Sequence, residues 1–69
     1  MEIEINGVPT AIPGACSLLE LLQHLGVDSG RVAVELNGYI VKKAQWPEQR
    51  VGPGAKVEIV HFVGGGSKR

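Results

Sequence analysis

Three consecutive glycines, Gly64-Gly65-Gly66, are the residues whose type and spacing point most directly to chemistry. They follow an apolar, β-branched run from Val57 to Val63, which is typical of a strand. Glycine loses the most conformational freedom when it is fixed, so no regular element favours three in a row. A rigid strand followed by a tail without side chains is suited to threading into a narrow channel of another protein. Such a tail brings a main-chain carboxyl group to a reactive site. The alternative interpretation of the glycine run is an ordinary frayed terminus.

The other potentially reactive side chains form no constellation. Cys16 precedes a predicted helix N-terminus, where a thiolate is favoured, but a small half-buried loop residue is the simpler interpretation. By alternation His61 faces the same side as Ile59 and is expected to pack near the base of the tail, while His24 is expected to be solvated. Their spacing is not that of metal ligands, and the glycines match no phosphate-binding loop. The sequence therefore predicts no catalytic residue and no metal site in this chain.

Length and charge exclude several classes of function. The chain has 69 residues, which is enough for one domain. Seven basic and seven acidic residues cancel, which argues against binding nucleic acid or an anionic membrane surface. No apolar run approaches the roughly 18 residues of a membrane-spanning helix, and the first residues do not resemble a signal peptide. A single cysteine excludes an internal disulfide framework, so we expect a reducing, cytoplasmic location.

Two hairpins are predicted on either side of one helix. Asn6-Gly7 is a strong two-residue turn signal between strand-like segments at 2–5 and 8–12. Asn37-Gly38 is a second such signal, between segments at 32–36 and 39–41. Pro9 indicates either that its strand lies at a sheet edge or that no N–H is needed for strand pairing at this position. The helix is predicted from Leu18 to Leu25, with Ser17 and Glu20 forming a capping box and Gly26 ending it. Trp46 is expected to cover one end of the core from a single helical turn.

The order of these elements predicts an α+β domain with the β-grasp arrangement. A mixed four- to five-stranded sheet would carry one main helix on one face. The first and last strands would lie parallel at its centre. We assign residues 1–63 to this domain and residues 64–69 to a flexible glycine-rich tail.

The last strand also predicts a docking surface. If its residues Val57 and Ile59 face the helix, Val60 and Phe62 lie on the open side of the sheet. Neighbouring exposed apolar side chains mark interaction sites, so Val60 and Phe62 are predicted to bind a partner. The alternative is that side chains from neighbouring strands cover them.

Nearly the whole chain resembles the ThiS family, the ubiquitin-like β-grasp sulfur carriers of bacterial thiamine biosynthesis. The resemblance is carried by the Asn6-Gly7 hairpin, the leucine-rich helix, the block from Val34 to Val41 with Trp46 beyond it, and the run from Val57 to Gly66. The chain departs from the family at Ala55, where an acidic residue is common. It also continues through Ser67-Lys68-Arg69, whereas family members end at the diglycine.

The resemblance implies a covalent carrier rather than an enzyme, with no bound cofactor and a monomeric free state. Within an adenylating, E1-like enzyme, the Gly66 carboxylate would attack the α-phosphate of ATP. A persulfide donor such as a cysteine desulfurase would then displace AMP and leave a thiocarboxylate. A thiazole synthase would receive that sulfur. Gly64 and Gly65 would form the slim tail that reaches each active site.

Two alternatives stay open. One is a molybdopterin-type sulfur carrier or a ubiquitin-like protein modifier that uses the same diglycine. The other is a non-covalent β-grasp binding module, which only Ser67-Lys68-Arg69 favours. Short loops and the segment from Asn37 to Trp46 favour the thiamine carrier. For such a carrier we expect that a form ending at Arg69 is inactive, and that removal of the three trailing residues exposes the working Gly65-Gly66 end.

Overall fold

The computed structural model describes residues 1–62, which form seven strands, one α-helix and two short 3₁₀ turns. The strands are β1 Glu2–Ile5, β2 Val8–Ala11, β3 Cys16–Ser17, β4 Val32–Leu36, β5 Tyr39–Val41, β6 Arg50–Val51 and β7 Lys56–His61. The helix α1 spans Leu18–Leu25, as predicted, and the 3₁₀ turns span Ser29–Arg31 and Lys43–Gln45.

Five of the strands form one mixed sheet in the order β2-β1-β7-β4-β5. The last strand, β7, lies at its centre, parallel to β1 and antiparallel to β4. Leu18, Leu21 and Leu22 of α1 belong to the same buried cluster as Val57 and Ile59 of β7, so the helix covers one face of the sheet. The predicted α+β, β-grasp architecture is confirmed.

Both Asn-Gly pairs form the turns that the sequence predicts. The φ angles are 52° and 80° at Asn6 and Gly7, and 52° and 89° at Asn37 and Gly38. Positive φ at both central positions is the pattern of a two-residue hairpin turn whose twist matches the flanking strands. The turns produce the β1–β2 and β4–β5 hairpins, which place β2 and β5 at the two edges of the sheet.

The helix begins and ends at the predicted residues. The Glu20 N–H donates to Ser17 Oγ at 3.0 Å, and the Ser17 N–H donates to Glu20 Oε1 at 2.8 Å. The hydrogen bond from the Ser17 backbone holds the pKa of the Glu20 carboxyl below its usual value, with a smaller contribution from the Ser17 side chain. At the other end Gly26 adopts a left-handed conformation with φ of 72°, where glycine carries no steric penalty.

Trp46 lies in the core, only 2% exposed, and its Nε1–H donates to the Val41 carbonyl at 2.9 Å. The predicted helical turn is the 3₁₀ turn that precedes it. The sequence did not predict a small second sheet, in which β3 pairs antiparallel with β6 and Cys16 lies opposite Val51. Two-residue strands are too short to show alternation, so their sequence looked like a loop.

Candidate functional site

The strand β7 carries the chain towards Gly66, and its two neighbours hold it firmly. Val57 and Ile59 are 1% and 6% exposed. On the β1 side the Asn6 N–H donates to the Val57 carbonyl at 2.9 Å. On the β4 side pairing continues to the end of β7, after which the Phe62 N–H donates to the Arg31 carbonyl at 2.9 Å. The backbone is therefore anchored as far as Phe62.

The side chains of both turn asparagines also bind β7. The Ile59 N–H donates to Asn6 Oδ1 at 2.7 Å, and Asn6 Nδ2 donates to the Ile59 carbonyl at 3.2 Å. This amide acts like one more residue of β1 and extends the parallel pairing. On the opposite side, the Lys56 N–H donates to Asn37 Oδ1 at 2.9 Å. The sequence identified both residues only as turn formers, because the Asn-Gly signal does not reveal a partner distant in the chain.

These contacts predict different effects for two matched substitutions. Asn6→Asp removes the donor to Ile59 and sets a carboxylate against its carbonyl, so we expect a loss of about 1–3 kcal/mol in the free energy of unfolding. Asn37→Asp keeps the Oδ1 acceptor of the Lys56 N–H. We therefore expect the free energy of unfolding to change by no more than about 0.5 kcal/mol. Both variants add one negative charge and retain a residue that tolerates positive φ. Urea denaturation at neutral pH measures the difference, and equal losses would contradict the role of the Asn6 amide.

Val60 and Phe62 are 56% and 59% exposed. Val60 pairs with Ala33 of β4 and points away from the helix, since its neighbours Ile59 and His61 alternate with it along β7. The small Ala33 side chain leaves Val60 uncovered, which accounts for its exposure. The structure thus leaves both residues accessible, and their role in binding a partner stays a prediction.

Acidic residues frame this open face. Glu35 of β4 lies directly opposite Glu58 of β7. Like charges in opposite positions of neighbouring strands are destabilising. Neither glutamate takes part in an ion pair within residues 1–62, where the single ion pair joins Arg31 to Asp28. The open face therefore presents an apolar pair beside two glutamates that form no ion pair within residues 1–62, with the exposed Lys56 on the same face of β7.

The histidines and the cysteine occupy separate places. The expectation that His61 packs at the base of the tail was wrong: it is exposed, because the buried cluster on that side of β7 ends at Ile59. His24 is exposed, as expected, and Cys16 is a half-buried free thiol in β3. In the described range, no three His, Cys, Asp or Glu side chains are grouped as metal ligands would be. No described helix has the length and apolar character needed to cross a membrane.

Gly66, which is predicted to react, lies outside the described range, as do the tail residues Gly64 and Gly65. The predicted boundary between domain and tail at residue 63 and the trailing Ser67-Lys68-Arg69 also lie outside it. What the structure supplies for the predicted chemistry is the anchored strand that precedes them.

Comparison with protein families and solved structures gives consistent matches. The sequence model of the ThiS family matches residues 3–66 of this chain. The crystal structure of thiamine biosynthesis protein ThiS from Geobacter metallireducens is similar with a TM-score of 0.85 and 35% sequence identity. That similarity covers 96% of this chain and 100% of the other.

Curated relatives are of two sizes. A protein named thiazole synthase from Paramagnetospirillum magneticum is 45% identical over 67 residues, which are 97% of this chain and 21% of that protein. Uncharacterized protein ycf40 of Porphyra purpurea is 35% identical over 96% of this chain and 93% of its own length. This chain therefore spans about a fifth of the thiazole synthase relative and nearly all of the ycf40 relative.

Proposed function

This chain belongs to the ThiS family, and we propose that it carries sulfur for thiazole formation in thiamine biosynthesis, as a thiocarboxylate on Gly66. The observation that carries this proposal is the family match, which extends through the glycine run and ends at Gly66. The similarity to ThiS of Geobacter metallireducens over the whole domain supports it. The thiazole synthase name of a relative fits the same pathway.

The chemistry takes place in partner enzymes and uses this chain as a substrate. In the adenylating enzyme the Gly66 carboxylate attacks the α-phosphate of ATP, pyrophosphate leaves, and an acyl adenylate forms. The outer sulfur of a persulfide on a donor such as a cysteine desulfurase then displaces AMP. A second thiol cleaves the resulting acyl disulfide and frees the thiocarboxylate. The cytoplasm, where thiols stay reduced, suits these steps.

The folded domain supplies binding energy and position. Ordering a glycine tail inside a channel costs roughly 1–2 kcal/mol per residue, which the tail has no side chains to offset. Contacts between the domain and the enzyme must supply the difference. The strand β7 is anchored on both sides up to Ile59, by β4 up to His61 and by the Arg31 carbonyl at Phe62. Docking of the domain therefore fixes the point from which the tail starts.

We assign the docking surface for the adenylating enzyme to the open face of the sheet. Val60 and Phe62 offer apolar area close to where the tail begins. The neighbouring Glu35 and Glu58 are complementary to basic residues of a partner, which would relieve the repulsion between them. Apolar contact would supply affinity, and charge would orient the encounter.

Reconstitution tests the function. A form ending at Gly66 is incubated with ATP, an adenylating enzyme, a persulfide donor with labelled sulfur, and a thiazole synthase with its other substrates. We expect labelled sulfur in the thiazole only when the carrier is present. Thiazole labelled equally fast without the carrier would contradict the proposal. Sulfur delivered to a molybdopterin synthase instead would assign the chain to the alternative carrier class.

A further inference from the structure

The two edges of the sheet are built alike and differ at one informative position. Each edge strand is the second strand of a hairpin with a two-residue Asn-Gly turn. In such a hairpin the residues flanking the turn form a hydrogen-bonded pair, and the next pair does not. The residues of that next pair on the edge strands are Pro9 in β2 and Ile40 in β5. Their backbone groups therefore point outwards, away from the sheet.

These equivalent positions have opposite consequences for pairing with another chain. Pro9 has no N–H, so β2 presents no donor at this position and is protected against added strands. Ile40 presents both its N–H and its carbonyl to the outside. Its side chain is 74% exposed, and that of Tyr39 is 77% exposed. Natural proteins usually protect apolar sheet edges, because an open edge can pair with another chain. At this position β2 has such protection and β5 does not.

A shallow groove runs beside this open edge. Its volume is about 350 Å³, and it is lined by all three residues of β5 together with Leu36, Gln45 and Gln49. In strand addition, backbone hydrogen bonds give affinity, and pockets beside the edge receive alternate side chains of the added segment. The groove provides such a pocket, with Leu36 and Val41 as its apolar floor.

The charge around the edge defines the segment that fits. Lys42 and Lys43 follow β5 directly and are exposed, and neither takes part in an ion pair with a side chain in residues 1–62. An added strand with an apolar residue over the groove and an acidic residue beside Lys42 and Lys43 would be complementary to it.

We propose that the β5 edge of the carrier binds an extended, apolar and acidic segment of the thiazole synthase as an additional strand. This proposal rests on the proposed sulfur-carrier function. The thiazole synthase is the chosen partner because a relative of that name contains this domain in about a fifth of its length, so that the remainder of that chain is its permanent neighbour. The open face around Val60 and Phe62 is a different surface, which stays free for the adenylating enzyme.

Ile40→Pro tests the edge directly, because it places on β5 the protection that Pro9 gives β2. Proline is tolerated at an outward-facing edge position, so the fold should be retained. Calorimetry with the unloaded carrier and a thiazole synthase should show affinity about tenfold weaker or more, as expected for losing a backbone hydrogen bond and its neighbouring contacts. Pro9→Ile, which changes the other edge, should bind like the unchanged chain. Unchanged affinity of Ile40→Pro, with circular dichroism confirming the fold, would overturn the proposal.

A second measurement needs no substitution. When the thiazole synthase is added to the unchanged carrier, hydrogen exchange at the Ile40 amide should slow markedly. Exchange at the same rate in the free and bound carrier would overturn the proposal. Sulfur loading of the form ending at Gly66 is measured separately with the adenylating enzyme. Failure of that form to load would refute the carrier function, whereas normal loading with unaltered binding of Ile40→Pro would refute only the edge.

Discussion

Gly65→Val, in a form of the chain ending at Gly66, is expected to lower the rate of sulfur loading by on the order of a hundredfold. In the proposed function the tail passes through a channel that fits bare backbone, and a branched side chain one residue before the reactive carboxyl would either block entry or displace the carbonyl. Glycine also reaches backbone conformations that valine cannot adopt. The expected loss is therefore in bringing the carboxylate to the reaction, and the stability of the domain should not change.

The control is a matched glycine within the described domain. Gly14 has open space around the position of a Cβ atom, and its φ is not in the left-handed region. Gly14→Val, made in the same form ending at Gly66, should therefore load at the rate of that form without a substitution. Initial rates of AMP release, measured with the adenylating enzyme and a persulfide donor at saturating ATP, compare the two variants. Equal rates for both would show that the tail does not enter a narrow channel.

Phe62→Asp is expected to weaken docking to the adenylating enzyme by about 2 kcal/mol or more, as is typical when a buried apolar anchor is lost from an interface. The new carboxylate would also join the negative charge of Glu35 and Glu58. The backbone bond from Phe62 to Arg31 does not involve the side chain, so the fold should persist. Isothermal calorimetry gives the affinity, and circular dichroism checks the fold.

Val8→Asp is the matched control for this substitution. Val8 is 61% exposed, close to the 59% of Phe62, and it lies on β2, away from the predicted docking surface. It introduces the same charge into an equally accessible apolar position. If Val8→Asp weakens binding as much as Phe62→Asp does, the effect is one of net charge, and the open face is not the docking surface.

Much of the fold could be predicted because its signals are local. The capping box of Ser17 and Glu20, the Gly26 cap and the two Asn-Gly turns each depend on residues adjacent in sequence. Alternation in β7 likewise predicted that Val60 and Ile59 lie on opposite faces of the sheet, and the structure leaves Val60 exposed and Ile59 buried. These features set the helix ends, the hairpins and the exposed apolar residues without knowledge of the sheet.

The features that were missed depend on contacts between distant residues. Pairing of Cys16 with Val51, and of the Asn6 amide with Ile59, leaves no periodic trace in the sequence. The face of His61 followed from alternation, but where the core ends on that face is a property of the assembled helix and sheet. The glycine run itself predicted a slim tail that presents a carboxyl group, whereas the adenylate and thiocarboxylate chemistry followed only from the resemblance to a known family.

Locating the covalent sulfur by intact mass and peptide mapping tests directly whether Gly66 is the reactive residue. The form ending at Gly66 and the 69-residue chain are each incubated with ATP, the adenylating enzyme and a persulfide donor. The shorter form should gain the mass of one oxygen replaced by sulfur, mapped to Gly66. The longer form should gain nothing, because its Gly66 carbonyl is held in a peptide bond. Equal loading of the longer form, with the added mass on Arg69, would contradict the assignment of Gly66 as the reactive residue.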